Sequence, residues 1–160
     1  MRRGRIEAAK PAGSAKNKAL RALARREYGA EELKRKLRAA GFDPSEVDGT
    51  IQELLRGGLV SDRRFIEALA RNRRERGYGP IRVKRELRER GVAEEDYAAL
   101  VNEHDPEWVK KGEELRRRRF GSAMPADYRE WARQARFLQA RGYSGEQIRR
   151  LLKRGGPEDE

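Results

Sequence analysis

The residues that could carry out covalent chemistry are few. His104 is the only histidine and there is no cysteine. Ser-His or Cys-His catalysis needs a base held within hydrogen-bond reach of a nucleophile. His104 instead sits beside Asp105-Pro106, in a connection between helices, where a capping or solvent-facing histidine is the natural reading. Glu103 and Asp105 flank it in the chain, but neighbouring residues of a helix point in different directions and do not make a ligand set. The lack of cysteine also excludes disulfides, thiol nucleophiles and the common zinc modules. Gly77-Tyr78-Gly79-Pro80 has the look of a glycine-rich phosphate loop, yet it lacks the third glycine, no strand precedes it, and no Gly-Lys-Ser/Thr element follows. It reads as a turn into a helix begun by Pro80. No catalytic residue, cofactor or metal site is expected.

What remains is charge. The chain has 39 basic and 27 acidic residues, a formal net charge of +12, and such a field attracts polyanions. The excess is organised on helices. With Val83 and Leu87 taken as a buried stripe, steps of about 100° per residue place Arg85 opposite it, with Arg82 and Arg88 flanking on the outward side. Repeat offsets carry the same ridge to Arg35 and Arg38 earlier in the chain and to Arg133 and Arg136 later. The same ridge also fits a solvated face partly neutralised by Glu32, Glu86 and Glu89. The planar guanidinium fork suits phosphates and carboxylates. Arg116, Arg117, Arg118 and Arg119 form a secondary basic patch, although four consecutive helical residues fan around the axis. Trp108, Phe120, Tyr128 and Trp131 are expected in the core, where their spacing beside Ala132, Ala135 and Leu138 fits packing better than base stacking.

The elements that position these residues are helical. Only 36% of the chain is hydrophobic while 41% is charged, so apolar surface must be concentrated in narrow stripes. Apolar residues recur at three and four: Leu20, Leu23 and Ala24; Leu33, Leu37 and Ala40; Val47, Ile51, Leu54 and Leu55. Gly41 ends one helix, and Asp43-Pro44-Ser45-Glu46 starts the next with an N-cap, a proline at the first position and a carboxylate in the first turn. The pattern then recurs. Leu33, Leu37, Gly41, Phe42, Val47 and Ile51 match Val83, Leu87, Gly91, Val92, Tyr97 and Val101, each 50 positions later. A third copy follows 51 positions on, with Leu138, Gly142, Tyr143, Ile148 and Leu152 and a capping box at Ser144-Gly145-Glu146-Gln147. Its leading helix starts at Asp105-Pro106 and runs to Phe120.

The expected fold is all-α: three tandem three-helix repeats, each too small to bury its own stripe and therefore stacked on its neighbours, in an elongated, curved array. The expected division is a disordered basic arm over 1–17, repeats over 18–60, 61–104 and 105–154, and a flexible tail over 155–160. No run approaches the length of a membrane span, and Arg2, Arg3 and Arg5 are not followed by an apolar signal segment, so a cytoplasmic location is expected.

Gly77-Tyr78-Gly79-Pro80-Ile81-Arg82-Val83-Lys84-Arg85-Glu86-Leu87 followed by Arg90-Gly91-Val92 resembles the central signature of the RecX family. Glu32-Leu33 with Lys36-Leu37, Gly58-Leu59-Val60-Ser61-Asp62-Arg63-Arg64-Phe65, Phe120-Gly121, and Phe137-Leu138 with Arg141-Gly142-Tyr143 are similar to its other landmarks, in order. The match covers about Ala19 to Leu152. Gly29 departs from the serine frequent at that place, but glycine still serves as an N-cap.

The resemblance implies a regulatory protein, not an enzyme, that binds in the groove of the RecA filament on single-stranded DNA. It also implies inhibition of the filament's recombinase, ATPase and coprotease activities, and hence a place in DNA repair, homologous recombination and the SOS response. Duplex DNA stands as a further partner, and a monomer is expected. Two readings of the residues stay open beside it: a helix-turn-helix regulator, which would bind specific duplex sites through one recognition helix, and a non-catalytic helical adaptor with little salt dependence.

Overall fold

The computed structural model describes residues 13–153, and every regular element among them is a helix. The order is α1 (Ala15–Leu23), α2 (Ala30–Ala39), α3 (Pro44–Arg56), α4 (Asp62–Glu75), α5 (Pro80–Glu89), α6 (Glu94–Ala98), α7 (Pro106–Phe120), α8 (Tyr128–Ala140) and α9 (Gly145–Leu152). Most of the basic arm and the whole of the flexible tail expected from the sequence lie outside the described residues. The exception is the end of the arm, where Ser14 accepts from the Asn17 amide and starts α1 at Ala15.

Helix starts follow local chemistry. Asp43 and Asp105 each cap the amide two residues on, with proline at the first helical position. Asp127 caps α8 through the Glu130 amide, and Ser144 with Gln147 forms a complete reciprocal box at α9. Glu46, expected to serve its own helix, accepts instead from the Ala15 amide at 3.0 Å and so ties α3 to the start of α1.

The repeat is visible in the backbone. Gly41, Gly91 and Gly142 end the middle helix of each repeat with φ of +94°, +86° and +98°, a conformation that costs glycine no Cβ clash. Each is followed by a buried residue, Phe42, Val92 or Tyr143. Leu37, Leu87 and Leu138 are fully buried one turn earlier, and Val47, Tyr97 and Ile148 are buried on the third helix.

By packing, the described residues form two compact units: 13–65 with 90–92, and 66–89 with 93–153. The first is built on Leu33, Leu37, Phe42, Val47, Ile51 and Leu54, with Ala15, Ala19 and Ala22 of α1 against them. The α1 stripe therefore differs from the one read in the sequence: Leu20 is 36% exposed and Ala24 lies outside, because the alanine face permits close approach to α2 and α3. Leu55 is likewise 36% exposed. In the second unit Leu115, Leu138, Tyr143, Ile148, Leu151 and Leu152 pack together. Of the aromatic residues expected in the core, Trp108 is buried, Trp131 and Phe120 are half-buried, and Tyr128 lies outside, stacked on Trp131.

Candidate functional site

The stripe that buries Val83 and Leu87 sets the outward face of α5, where Arg85 and Arg88 are exposed. Neither has a carboxylate partner among the described residues. Two of the acids expected to neutralise this face have other partners: Glu86 accepts from Arg73 Nε at 2.8 Å, and Glu32 is shared between Arg26 and Arg90 at 2.8 Å each. The bond from Glu86 raises the Arg73 pKa above its ordinary value.

Other ridge residues have partners. Arg35 stands 3.9 Å from Glu31, Arg38 bonds Asp48 at 3.2 Å, and Arg133 bonds Glu130 at 3.0 Å; all three are exposed. Arg136 is exposed with no carboxylate partner among the described residues. Arg82 is turned aside, its guanidinium 4.0 Å from the centre of the Tyr78 ring.

The secondary patch must be corrected. Arg116 is fully buried. Its guanidinium bonds both oxygens of Glu113 at 2.9 Å and reaches the carbonyls of Gly121 and Ala123 and the side chain of Gln134. Gln134 occupies the place that Leu33 and Val83 hold in the other repeats, so a polar pair replaces an apolar contact in the third. A charge that leaves water needs this satisfaction. The Arg116 bond in turn holds the Glu113 carboxyl below the usual carboxylate range. Arg116 is thus a structural ion, while Arg117, Arg118 and Arg119 remain exposed, the first paired with Glu113.

Within the second unit, cations and rings form a file that the sequence reading missed. Arg82 and Arg141 both stack on Tyr78, at 4.0 and 4.7 Å; Arg141 and Arg119 stand 5.5 Å from Phe137; and Phe137 meets Phe120 edge-on at 5.3 Å, with Arg133 at 5.0 Å from Phe120. A ring face attracts a guanidinium and fixes its plane. Arg141 is held by the backbone as well: the Gly79 amide donates to the Arg141 carbonyl at 2.8 Å and the Ile81 amide to the Gly142 carbonyl at 3.0 Å. These bonds satisfy the opening amides of α5 with the turn after α8.

Tyr28 holds the equivalent place in the first unit. It precedes Gly29 as Tyr78 precedes Gly79, 50 positions apart. Arg26 lies 3.6 Å and Lys36 5.9 Å from its ring centre. The repeated Tyr-Gly pair was the signal available in the sequence.

His104 is exposed, its amide bonded to Asn102. Among the described residues no group of three or more His, Asp or Glu is arranged to hold a metal, and no helix is long and apolar enough to cross a membrane.

Fold and surface together define a class: a tandem helical-repeat protein whose exposed chemistry is cationic. Three family models match in order, RecX first three-helix domain over 15–54, second over 61–100 and third over 107–152. Regulatory protein RecX of Halorhodospira halophila is 40% identical over 154 residues, covering 96% of each chain, and that of Pseudomonas savastanoi pv. phaseolicola is 43% identical over 137 residues, covering 86% of this chain and 88% of its own. The crystal structure of RecX from Lactobacillus salivarius shares the fold, with a TM-score of 0.70 at 22% identity over 87% of this chain and 92% of that one. The chain belongs to the RecX family.

Proposed function

We propose that the chain is a cytoplasmic regulator, acting as a monomer, that binds the RecA filament on single-stranded DNA and inhibits its ATPase, strand exchange and coprotease activities. Its effect comes from binding alone. The observation that carries this reading is the outward face of α5: Arg85 and Arg88 are exposed without a carboxylate partner among the described residues, opposite the buried Val83 and Leu87. Unpaired like charges repel one another and are relieved by an anionic partner. A ligand shifts a filament only by its differential affinity for the filament's states. Inhibition therefore requires tighter binding to a state that hydrolyses or exchanges poorly.

The test is the double change Arg85→Glu and Arg88→Glu. Both residues are exposed, so the variant should keep its helical circular dichroism while losing most of its affinity for the filament and most of its effect on filament ATPase. A folded variant that still regulates the filament with unchanged affinity and salt dependence would overturn the assignment.

A further inference from the structure

Tyr28 and Tyr78 occupy the same place in two successive repeats, in the turn before the middle helix, and each borders a cationic cleft. The cleft at Tyr28, about 190 Å³, is lined by Lys18, Arg21, Arg25 and Lys36 with no acid on its wall. None of these four has a carboxylate partner among the described residues. The cleft at Tyr78, about 500 Å³, is lined by Arg73, Arg76, Arg82 and Arg85 together with Glu86 and Glu89. Glu86 is taken by Arg73, and Arg141 adds a further guanidinium over the Tyr78 ring.

We propose that the Tyr28 and Tyr78 clefts are two phosphodiester-binding sites that hold the backbone of single-stranded DNA without regard to base sequence. Three features carry the assignment. Four cations around one small cleft, with no acid lining it, repel each other until an anion enters. A tyrosine-bordered cationic cleft occurs in two successive repeats, though with different walls, Lys36 of the first standing where the second has Glu86, and two such clefts suit a ligand that carries charge along its length. A polynucleotide carries a charge at every residue, whereas the acids of a protein surface follow no fixed period. Finally, the rings are already covered by cations, at 3.6 Å on Tyr28 and at 4.0 and 4.7 Å on Tyr78. Bases cannot stack there in the manner of aromatic single-strand platforms, so the sites read phosphate.

The Tyr28 cleft, about 190 Å³, has room for one backbone segment. That the strand is single, and that it is DNA, rests on the filament reading above. In that reading the clefts hold the strand while the outward face of α5 meets the filament's protein, with Arg85, which lines the Tyr78 cleft, bordering both.

The experiment measures binding of fluorescent oligo-dT to the full chain across a salt series, with no RecA present. The triple change Lys18→Gln, Arg21→Gln, Arg25→Gln alters the first cleft, and Arg76→Gln, Arg82→Gln, Arg141→Gln the second. Each should weaken binding by about tenfold or more and reduce the log–log salt slope by about 2, the value for three lost contacts to a single strand. The matching all-Lys variants should restore the slope, which separates lost charge from a disturbed fold. Oligo-dA and oligo-dT should bind alike. Unchanged affinity and slope in both folded Gln variants would overturn the proposal. So would tighter binding of a mixed-sequence duplex than of oligo-dT, or displacement of oligo-dT by poly-glutamate at lower charge concentration than by unlabelled oligonucleotide. A chain that binds oligo-dT through these clefts but leaves the RecA filament untouched would sink the filament reading and keep the clefts. A chain that regulates the filament while its cleft variants bind oligo-dT normally would do the reverse.

Discussion

Gly79 and Gly142 approach so closely that a Cβ on Gly79 would lie 2.4 Å from both the carbonyl carbon and the carbonyl oxygen of Gly142. Backbone cannot swing aside as the end of a side chain does, and the same contact carries the amide bonds from Gly79 and Ile81 to the turn after α8. Gly142 is constrained from its own side: its φ is +98°, and a Cβ there would lie 2.5 Å from Arg82 Cβ. Gly79→Ala should therefore destabilise the second unit by about 3 kcal/mol, the upper end of the usual overpacking cost. Gly49→Ala should have the opposite sign. Gly49 lies inside α3 with nothing within 4 Å of a new Cβ, so the helix gains about 0.5 to 1 kcal/mol. Urea midpoints of the two variants check both signs at once.

Arg116 and Arg118 stand two residues apart in a run of four arginines and should behave oppositely. Removing the buried Arg116 leaves Glu113 with only the exposed Arg117 and takes one partner from Gln134, and breaking a buried pair costs about 3 to 5 kcal/mol. The low end is expected, since the Glu113 side chain keeps 27% exposure. Arg118→Ala, on the surface, should stay within about 0.5 kcal/mol. The pair also has an acid signature. The Glu113 carboxyl titrates below its ordinary 4.5 when folded, so its contribution is complete above that value and lost as pH falls through the lower folded one. Glu113→Gln should flatten that part of the acid-unfolding curve. An unchanged curve would show that the bond contributes no stability.

Periodicity reveals an apolar stripe wherever large side chains mark it, and for that reason α2, α5 and the three glycine turns were legible in the sequence. It failed on α1, where alanine pattern and leucine pattern compete. Leu20 belongs to the stripe read in the sequence and is exposed, while the buried Ala15, Ala19 and Ala22 enter no stripe. It failed on Arg116 because an arginine is read as surface unless its partners are known, and Gln134 lies on the next helix. The outward position of Arg85 was readable because the helix angle fixes it. The turn of Arg82 onto Tyr78 was not, since a long side chain chooses among neighbours that one helix does not show. The repeated Tyr-Gly pair was within reach: the 50-residue offset that aligned the leucines also aligns Tyr28 with Tyr78.

Leu37 and Leu87, aligned by that offset, are both fully buried. Truncation to alanine should cost each about 2 to 5 kcal/mol through lost transfer energy and the cavity left behind. Arg38→Ala, one residue along the same helix as Leu37, loses only an exposed pair with Asp48 and should change stability by no more than about 0.5 kcal/mol. A melting temperature that moves more for Arg38 than for Leu37 would mean that α2 is rotated from the orientation described.

Tyr143 gives a signal at the alkaline end. Its hydroxyl donates to the Gly77 carbonyl at 3.0 Å, inside the core of the second unit, and burial pushes its pKa up to about 12 from the ordinary 10.0. Nearby Arg141 opposes the shift and does not cancel it. Because the folded value is the higher one, the neutral phenol is favoured by folding. The stability this gives is whole below pH 10 and is lost as pH rises toward the folded value, since the unfolded chain ionises first. The chain has five tyrosines. In an ultraviolet titration of the folded protein, one tyrosinate should emerge only near pH 12 or on unfolding. Tyr143→Phe should remove that step. It should also cost about 1 kcal/mol at neutral pH, because the Gly77 carbonyl loses its buried donor. If the late step survives the substitution, another tyrosine carries it, and the bond between Tyr143 and the turn before α5 does not hold in solution.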